Sequence, residues 1–274
     1  MQPILKMAVK GPAGRSGDPN PIPLNARQIA VYVGLVAFSL PIILYTAAWL
    51  APYCRPSSIS HSYYIPFWGS YFVGALGFIA VFLFCYPGHT KWDNRLASLG
   101  AVGAMLTVIF PTGGDGCAEN YFTGRSLIRY FEDTSLTPPG RGQDILYHYD
   151  LADLFGYTIT SQTLHFTGAA LVFSVLAYFA LWAFRRDNGE GVRKTAKGDV
   201  ELSMRKIQRN TIYLICGLTI LACMAAIAFW PVKTNDGTTA LFPPIFTLES
   251  IALFAFGISW VVKGRLLKIL RETG

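Results

Sequence analysis

Residues 164–184 read LHFTGAALVFSVLAYFALWAF, a run without one Asp, Glu, Lys or Arg. A helix needs about 17–25 predominantly apolar residues to cross a bilayer, and the run lacks the strict alternation of a strand. Arg185 and Arg186 close it. Five further segments repeat the pattern: Gln28–Leu50, Phe67–Tyr86, Leu96–Phe110, Thr211–Trp230 and Ile245–Val262. Pro52, Pro66, Pro87-Gly88, Pro111, Pro231 and Lys263 bound them. Leu96–Phe110 is the shortest, and tilt, flanking residues or neighbouring helices must make up its length. Only a helix or a closed barrel satisfies its backbone hydrogen bonds in lipid. The sequence therefore predicts an all-α polytopic membrane protein with six transmembrane helices.

Composition agrees. The 274 residues are 52% hydrophobic and 14% charged, against roughly 25% charged in a soluble domain. That balance argues against a soluble enzyme, a disordered tail or a disulfide-rich miniprotein. The net charge of +7 resolves into a gradient when connections alternate between the two ends of the spans. The arm 1–27, the turn with Lys91 and Arg95, the loop 185–209 and the tail 263–274 hold eighteen of the 23 basic residues. That end nets +11 and the other −4. The positive-inside rule places both termini in the cytoplasm, around a bundle spanning 28–262. Residues 1–27 are polar and rich in Pro and Gly, unlike a cleavable signal peptide, so the first span reads as an uncleaved anchor. The basic loop and tail serve as orientation signals, with contact to anionic membrane lipids as the alternative. Basic residues lie beside spans, with no zinc-finger spacing and no stacking motif, which gives no nucleic-acid partner.

Residues 111–163 form the one large extramembrane segment, acidic, rich in aromatics and expected to face outward. Its length calls for structure of its own, and short helices over Ser126–Asp133 and Gln143–Leu154 would make it a cap over the bundle mouth. Cys54 and Cys117 both fall on the outward side, where a disulfide would pin cap to first loop if that side is oxidising; two free thiols is the alternative. Cys85, Cys216 and Cys223 fall in spans and read as small apolar packers.

Ionisable residues inside spans are costly and mark functional candidates. His165 opens the fourth span and Glu249 lies one turn into the sixth, both at the outward end. His61, just before the second span, is on the same side. Two His and one carboxylate suit a zinc ion with an open water position. A hydrogen-bonded packing or ligand-binding network, or no joint role, are the other readings of the same three residues. On the opposite side, Asp93 or Asn94 is expected to cap the third helix and His89 to sit in an exposed turn. Small residues at Gly74 and Gly77, Gly100, Gly103 and Ala104, and Gly168 to Ala170 permit close helix packing. No ring of charge or filter-like run supports a channel.

The order of one span, an outward loop carrying Pro56, Ile59 and Ser60, and a later span opening with His165, Gly168, Ala169 and Phe173 has a counterpart. It resembles the six-span membrane proteins of the damage-regulated autophagy modulators and the lumenal GPI-lipid remodelling factor. The resemblance implies a role in membrane lipid handling and adds Ser60 to the candidate ligand-binding set of His61, His165 and Glu249. The chain departs from that family in its long acidic 111–163 segment. A weaker similarity, through the Ser-x-x-x-His spacing of Ser57 and His61, is to zinc-dependent intramembrane hydrolases of the ceramidase and progestin/adiponectin-receptor type; the late His-x-x-x-His of those proteins is absent. Three functions are compatible with these residues. The leading one is a membrane protein that binds lipid or a small polar ligand at an outward-facing site. The others are a zinc-dependent lipid amide or ester hydrolase, with zinc on His61, His165 and Glu249, and an accessory subunit packed against another membrane protein.

Overall fold

A computed structural model describes residues 26–50, 56–64, 67–110, 112, 161–186, 191–194, 200–229 and 243–270. Six long helices form among them: α1 (Ala26–Leu50), α2 (Trp68–Cys85), α3 (Lys91–Ile109), α4 (Ser161–Tyr178), α5 (Met204–Phe229) and α6 (Pro244–Lys263). A 3-10 turn, Ser60–Tyr64, precedes α2, and a π-helical segment, Phe179–Ala183, continues α4. The antiparallel pair Val192–Lys194 and Val200–Leu202, which the sequence did not announce, sits between α4 and α5. Each helix packs against its chain neighbours, and α6 closes on α1, making a ring. The start of α1 and the end of α6 share one end of the ring, here called proximal; the turn Ser60–Tyr64 caps the distal end.

Five of the helices are long and apolar enough to cross a membrane. Helix α3 is the one expected span that falls short of them. Its first turns carry Lys91, Asp93 and Arg95, and the apolar part that follows, residues 96–109, rises only about 21 Å against a hydrocarbon core of about 30 Å. It lies between α2 and α4 in the ring. The ring exterior is apolar as a lipid-facing surface must be, with Phe84 70% and Phe229 86% exposed. This is a multi-pass integral membrane protein.

Small residues set two of the crossings. A Cβ on Gly103 would lie 2.7 Å from the Gly168 carbonyl oxygen, and one on Gly168 would lie 2.6 Å from that of Gly103. Helices α1 and α6 meet the same way, at Gly34 and Gly257. Gly74 and Gly77, expected to pack likewise, have no atom within 4 Å of an ideal Cβ. Their face of α2 turns away from the neighbouring helices.

The proximal half of the ring axis is filled by aromatic rings around Trp260. Phe82, Phe184 and Tyr86 stand 4.8, 4.9 and 5.1 Å from it between centroids, each near edge-to-face. Edge-to-face geometry places the positive ring edge on the negative face of the next ring.

At the start of α3 the cap differs from expectation. Thr90 is the N-cap: its hydroxyl accepts from the Asp93 N–H at 3.1 Å and its own N–H donates to Asp93 Oδ2 at 3.0 Å. A threonine with an acidic side chain three residues on forms this reciprocal box. Asn94 Oδ1 accepts from the Gly88 N–H at 2.6 Å, so neither Asp93 nor Asn94 is the cap itself. His89 is exposed, as its turn position suggests.

Asp93 has a second role. Arg186 Nη1 donates to both its oxygens, at 2.8 and 2.7 Å, and the Tyr178 hydroxyl donates to Oδ1 at 2.8 Å. Burial alone would raise the Asp93 carboxyl; the hydrogen bonds from Tyr178, Thr90 and Arg186 outweigh it and hold the group below the usual carboxylate range. The network ties the first turn of α3, ahead of its apolar stretch, to the end of α4. Removing one partner of a fully buried ion pair costs about 3–5 kcal/mol. Here the Arg186 side chain is 37% exposed and Asp93 only 1%, so water reaches the pair and the cost shrinks. Arg186→Ala is expected to destabilise by about 2 kcal/mol, read as a lower melting temperature in detergent.

Candidate ligand site at the distal end of the bundle

The loop 56–59 and the turn Ser60–Tyr64 fold over the distal end because hydrogen bonds from α6 and α4 hold them there. The Phe246 N–H at the start of α6 donates to the Ser57 carbonyl at 3.0 Å. One turn on, Glu249 Oε2 accepts from the Ile59 N–H at 2.6 Å. The Ile59 side chain is buried, and the Ser62 N–H closes on the Ile59 carbonyl at 3.1 Å. From α4, His165 reaches the same turn: its Nε2 lies 2.9 Å from Ser60 Oγ. Its Nδ1 lies 2.8 Å from the Phe110 carbonyl oxygen, just past the end of α3.

The partners settle the protonation pattern of the neutral ring. A carbonyl oxygen only accepts, so Nδ1 carries the hydrogen and Nε2 is left as an acceptor. The Ser60 hydroxyl therefore donates to Nε2. His165 is 2% exposed, and both ring nitrogens are engaged.

Of the four residues singled out from the sequence, Ser60, His165 and Glu249 meet across one short segment of backbone. His61 belongs to the same turn but faces elsewhere. Its Nδ1 lies 2.9 Å from Ser57 Oγ and 2.8 Å from Ser58 Oγ. The three ligands expected for zinc thus turn to three different sets of partners. Among the described residues no group of three His, Cys, Asp or Glu side chains is placed to hold a metal ion. Cys54, Cys117 and nearly all of the 111–163 cap, with both its expected short helices, lie outside the described residues. Cys216 and Cys223 are buried free thiols and Cys85 an exposed one.

Below the turn, on the ring axis, is a cavity of about 50 Å³. Its walls are mostly apolar, including Leu40, Phe72, Val172 and Leu253; Ser60, Glu249 and Thr107, whose hydroxyl donates to the Gly103 carbonyl, also line it. Phe256 lies at its proximal limit and also packs on Trp260, 6.0 Å between centroids. The site is thus a small apolar chamber, closed toward the proximal end by the aromatic cluster, with a hydroxyl and a carboxyl group at its distal edge.

The sequence had pointed to the side chains but not to two backbone partners, the Ile59 N–H and the Phe110 carbonyl. Phe110 ends an expected span beside Pro111, and Ile59 is one of the loop residues that carry the resemblance, but nothing at either position announces a backbone contact. No protein-family model, curated protein or solved structure matches the chain.

Proposed function

We propose that this membrane protein binds an amphiphilic ligand, a lipid or a small molecule with an apolar end, at an outward-facing site bordered by Ser60 and Glu249, with His165 hydrogen-bonded behind Ser60. The observation that carries the reading is a mostly apolar chamber with three polar lining residues, Ser60, Thr107 and Glu249, set where the sequence concentrates ionisable residues within spans. Ligand pockets combine apolar walls with a few placed polar groups in this way. A chamber of about 50 Å³ is well below the roughly 300–1,000 Å³ that encloses a drug-sized molecule. It admits one short end of the ligand, and the remainder lies at the distal mouth. The charge gradient supports a mouth on the non-cytoplasmic side, with both termini inside. The likeness of the Pro56–Ser60 and His165–Phe173 segments to lipid-remodelling six-span proteins supports a membrane lipid as the source of the ligand.

Native mass spectrometry of the purified protein tests the proposal. The wild type should retain a bound amphiphile. Ala104→Leu, which adds three carbons at the chamber wall, should lose it while still melting cooperatively. A wild type that carries no retained amphiphile at any detergent activation energy contradicts the reading.

A further inference from the structure

Ser60, His165 and the Phe110 carbonyl stand in one hydrogen-bonded line, with 2.9 Å from Ser60 Oγ to Nε2 and 2.8 Å from Nδ1 to the carbonyl oxygen. A hydroxyl within hydrogen-bond reach of an imidazole, itself oriented by a third group, is the arrangement that turns serine into a nucleophile. Two features distinguish this pair from a packing contact. Ser60 borders the chamber, so a reacting carbon has somewhere to sit beside it. His165, on the far side of the hydroxyl, is shut away from solvent and fixed in the tautomer whose lone pair points at Ser60.

We infer that Ser60 accepts an acyl group from a short acyl ester, with His165 as general base. The inference rests on the chamber being a ligand site, as proposed above. Ser60 Oγ attacks the ester carbonyl carbon and its proton passes to His165 Nε2. The bond from that carbon to the leaving oxygen then breaks, and the departing alcohol takes the proton from Nε2. Water next attacks the acyl-Ser60 carbon and gives its proton to Nε2, the bond to Oγ breaks, and Oγ recovers the proton. Ester and water have become acid and alcohol, with no change of oxidation state. The chamber size sets the acyl length. A single water needs about 10–15 Å³ on this measure, so a chamber of about 50 Å³ takes an acyl group of only a few heavy atoms, acetyl to butyryl. A carbonyl orients His165 but stabilises the imidazolium less than the carboxylate of a serine-protease triad, so turnover is expected to be slow and the acyl-serine long-lived.

The test uses the full chain in detergent, exposed to p-nitrophenyl acetate as probe. Peptide mass spectrometry should find an acetyl group on Ser60. Ser60→Ala should abolish it, and His165→Gln should slow its formation by about a hundredfold or more, the usual range for a general base. Wild-type protein that melts cooperatively yet shows no acetyl group on Ser60 overturns the inference, whatever the variants do. So does acetylation of Ser60 at an unchanged rate in folded His165→Gln. If native mass spectrometry finds the amphiphile but Ser60 stays unmodified, only the chemistry falls. If the amphiphile is missing too, the binding site falls with it.

Discussion

Trp260→Ala is expected to destabilise the protein by about 3–5 kcal/mol, the largest effect of any single side chain named here. Trp260 is fully buried where α2, the π-helical end of α4 and α6 converge. It touches Phe82, Tyr86, Phe184 and Phe256, and Phe179 stands 6.1 Å away. Two costs add on its removal. The edge-to-face contacts each carry about 0.5–1.5 kcal/mol beyond simple area burial. The space left cannot close, because the rings around it are held by three different helices, and unfilled volume is itself destabilising. Trp260→Phe, which keeps an aromatic ring in the cluster, should recover more than half of the loss. A differential scanning measurement of wild type, Trp260→Phe and Trp260→Ala in one detergent checks the order. Equal melting temperatures for wild type and Trp260→Ala would mean the cluster does not hold the proximal half together.

Gly168→Val is expected to rank next, at about 3 kcal/mol, the upper end of the range for overpacking. The Cβ it introduces meets the Gly103 carbonyl oxygen at 2.6 Å, Leu106 Cβ at 2.8 Å and the Thr107 nitrogen at 2.9 Å. Two of these are backbone atoms, so no side chain can swing aside and α3 must move away from α4. The consequence reaches the site. His165 lies one turn before Gly168 on α4, and its Nδ1 partner, the Phe110 carbonyl, ends α3. Separating the helices breaks that bond and frees the ring that Ser60 depends on. Loss of stability should therefore come with loss of ligand and of Ser60 acylation. Gly77→Val is the control: no atom lies within 4 Å of the Cβ it would add, and it should melt near the wild type. If both glycine variants behave alike, the close α3–α4 approach does not govern the site.

The contrast between these glycines shows what the sequence could and could not express. Apolar length is local, so the run 164–184 sufficed for a helix. Pairing of helix faces is not local. Gly74, Gly77, Gly103 and Gly168 look alike in the sequence, yet only Gly103 and Gly168 face a neighbour. The site divides along the same line. Its ionisable members were visible because Glu249 and His165 are out of place in apolar spans. The alternating topology set His61, His165 and Glu249 at one end of the bundle, while Ser60 entered through the family resemblance. What the topology could not show was which atom each would meet. His61 faces Ser57 and Ser58, Glu249 meets the Ile59 N–H, and His165 meets the Phe110 carbonyl. The sequence shows Asp93 only as a local cap candidate, because its tie to Arg186 spans 93 positions of chain.

Thiol labelling from one face of the membrane tests whether the ligand site opens to the non-cytoplasmic side at Ser60. In a chain whose five native cysteines are replaced by alanine, Ser60→Cys should react with a small membrane-impermeant methanethiosulfonate added to the non-cytoplasmic face of sealed membrane vesicles. A retained amphiphile, added in excess, should slow that reaction. Labelling only after the cytoplasmic face is opened, or at a rate the amphiphile leaves unchanged, would contradict the account.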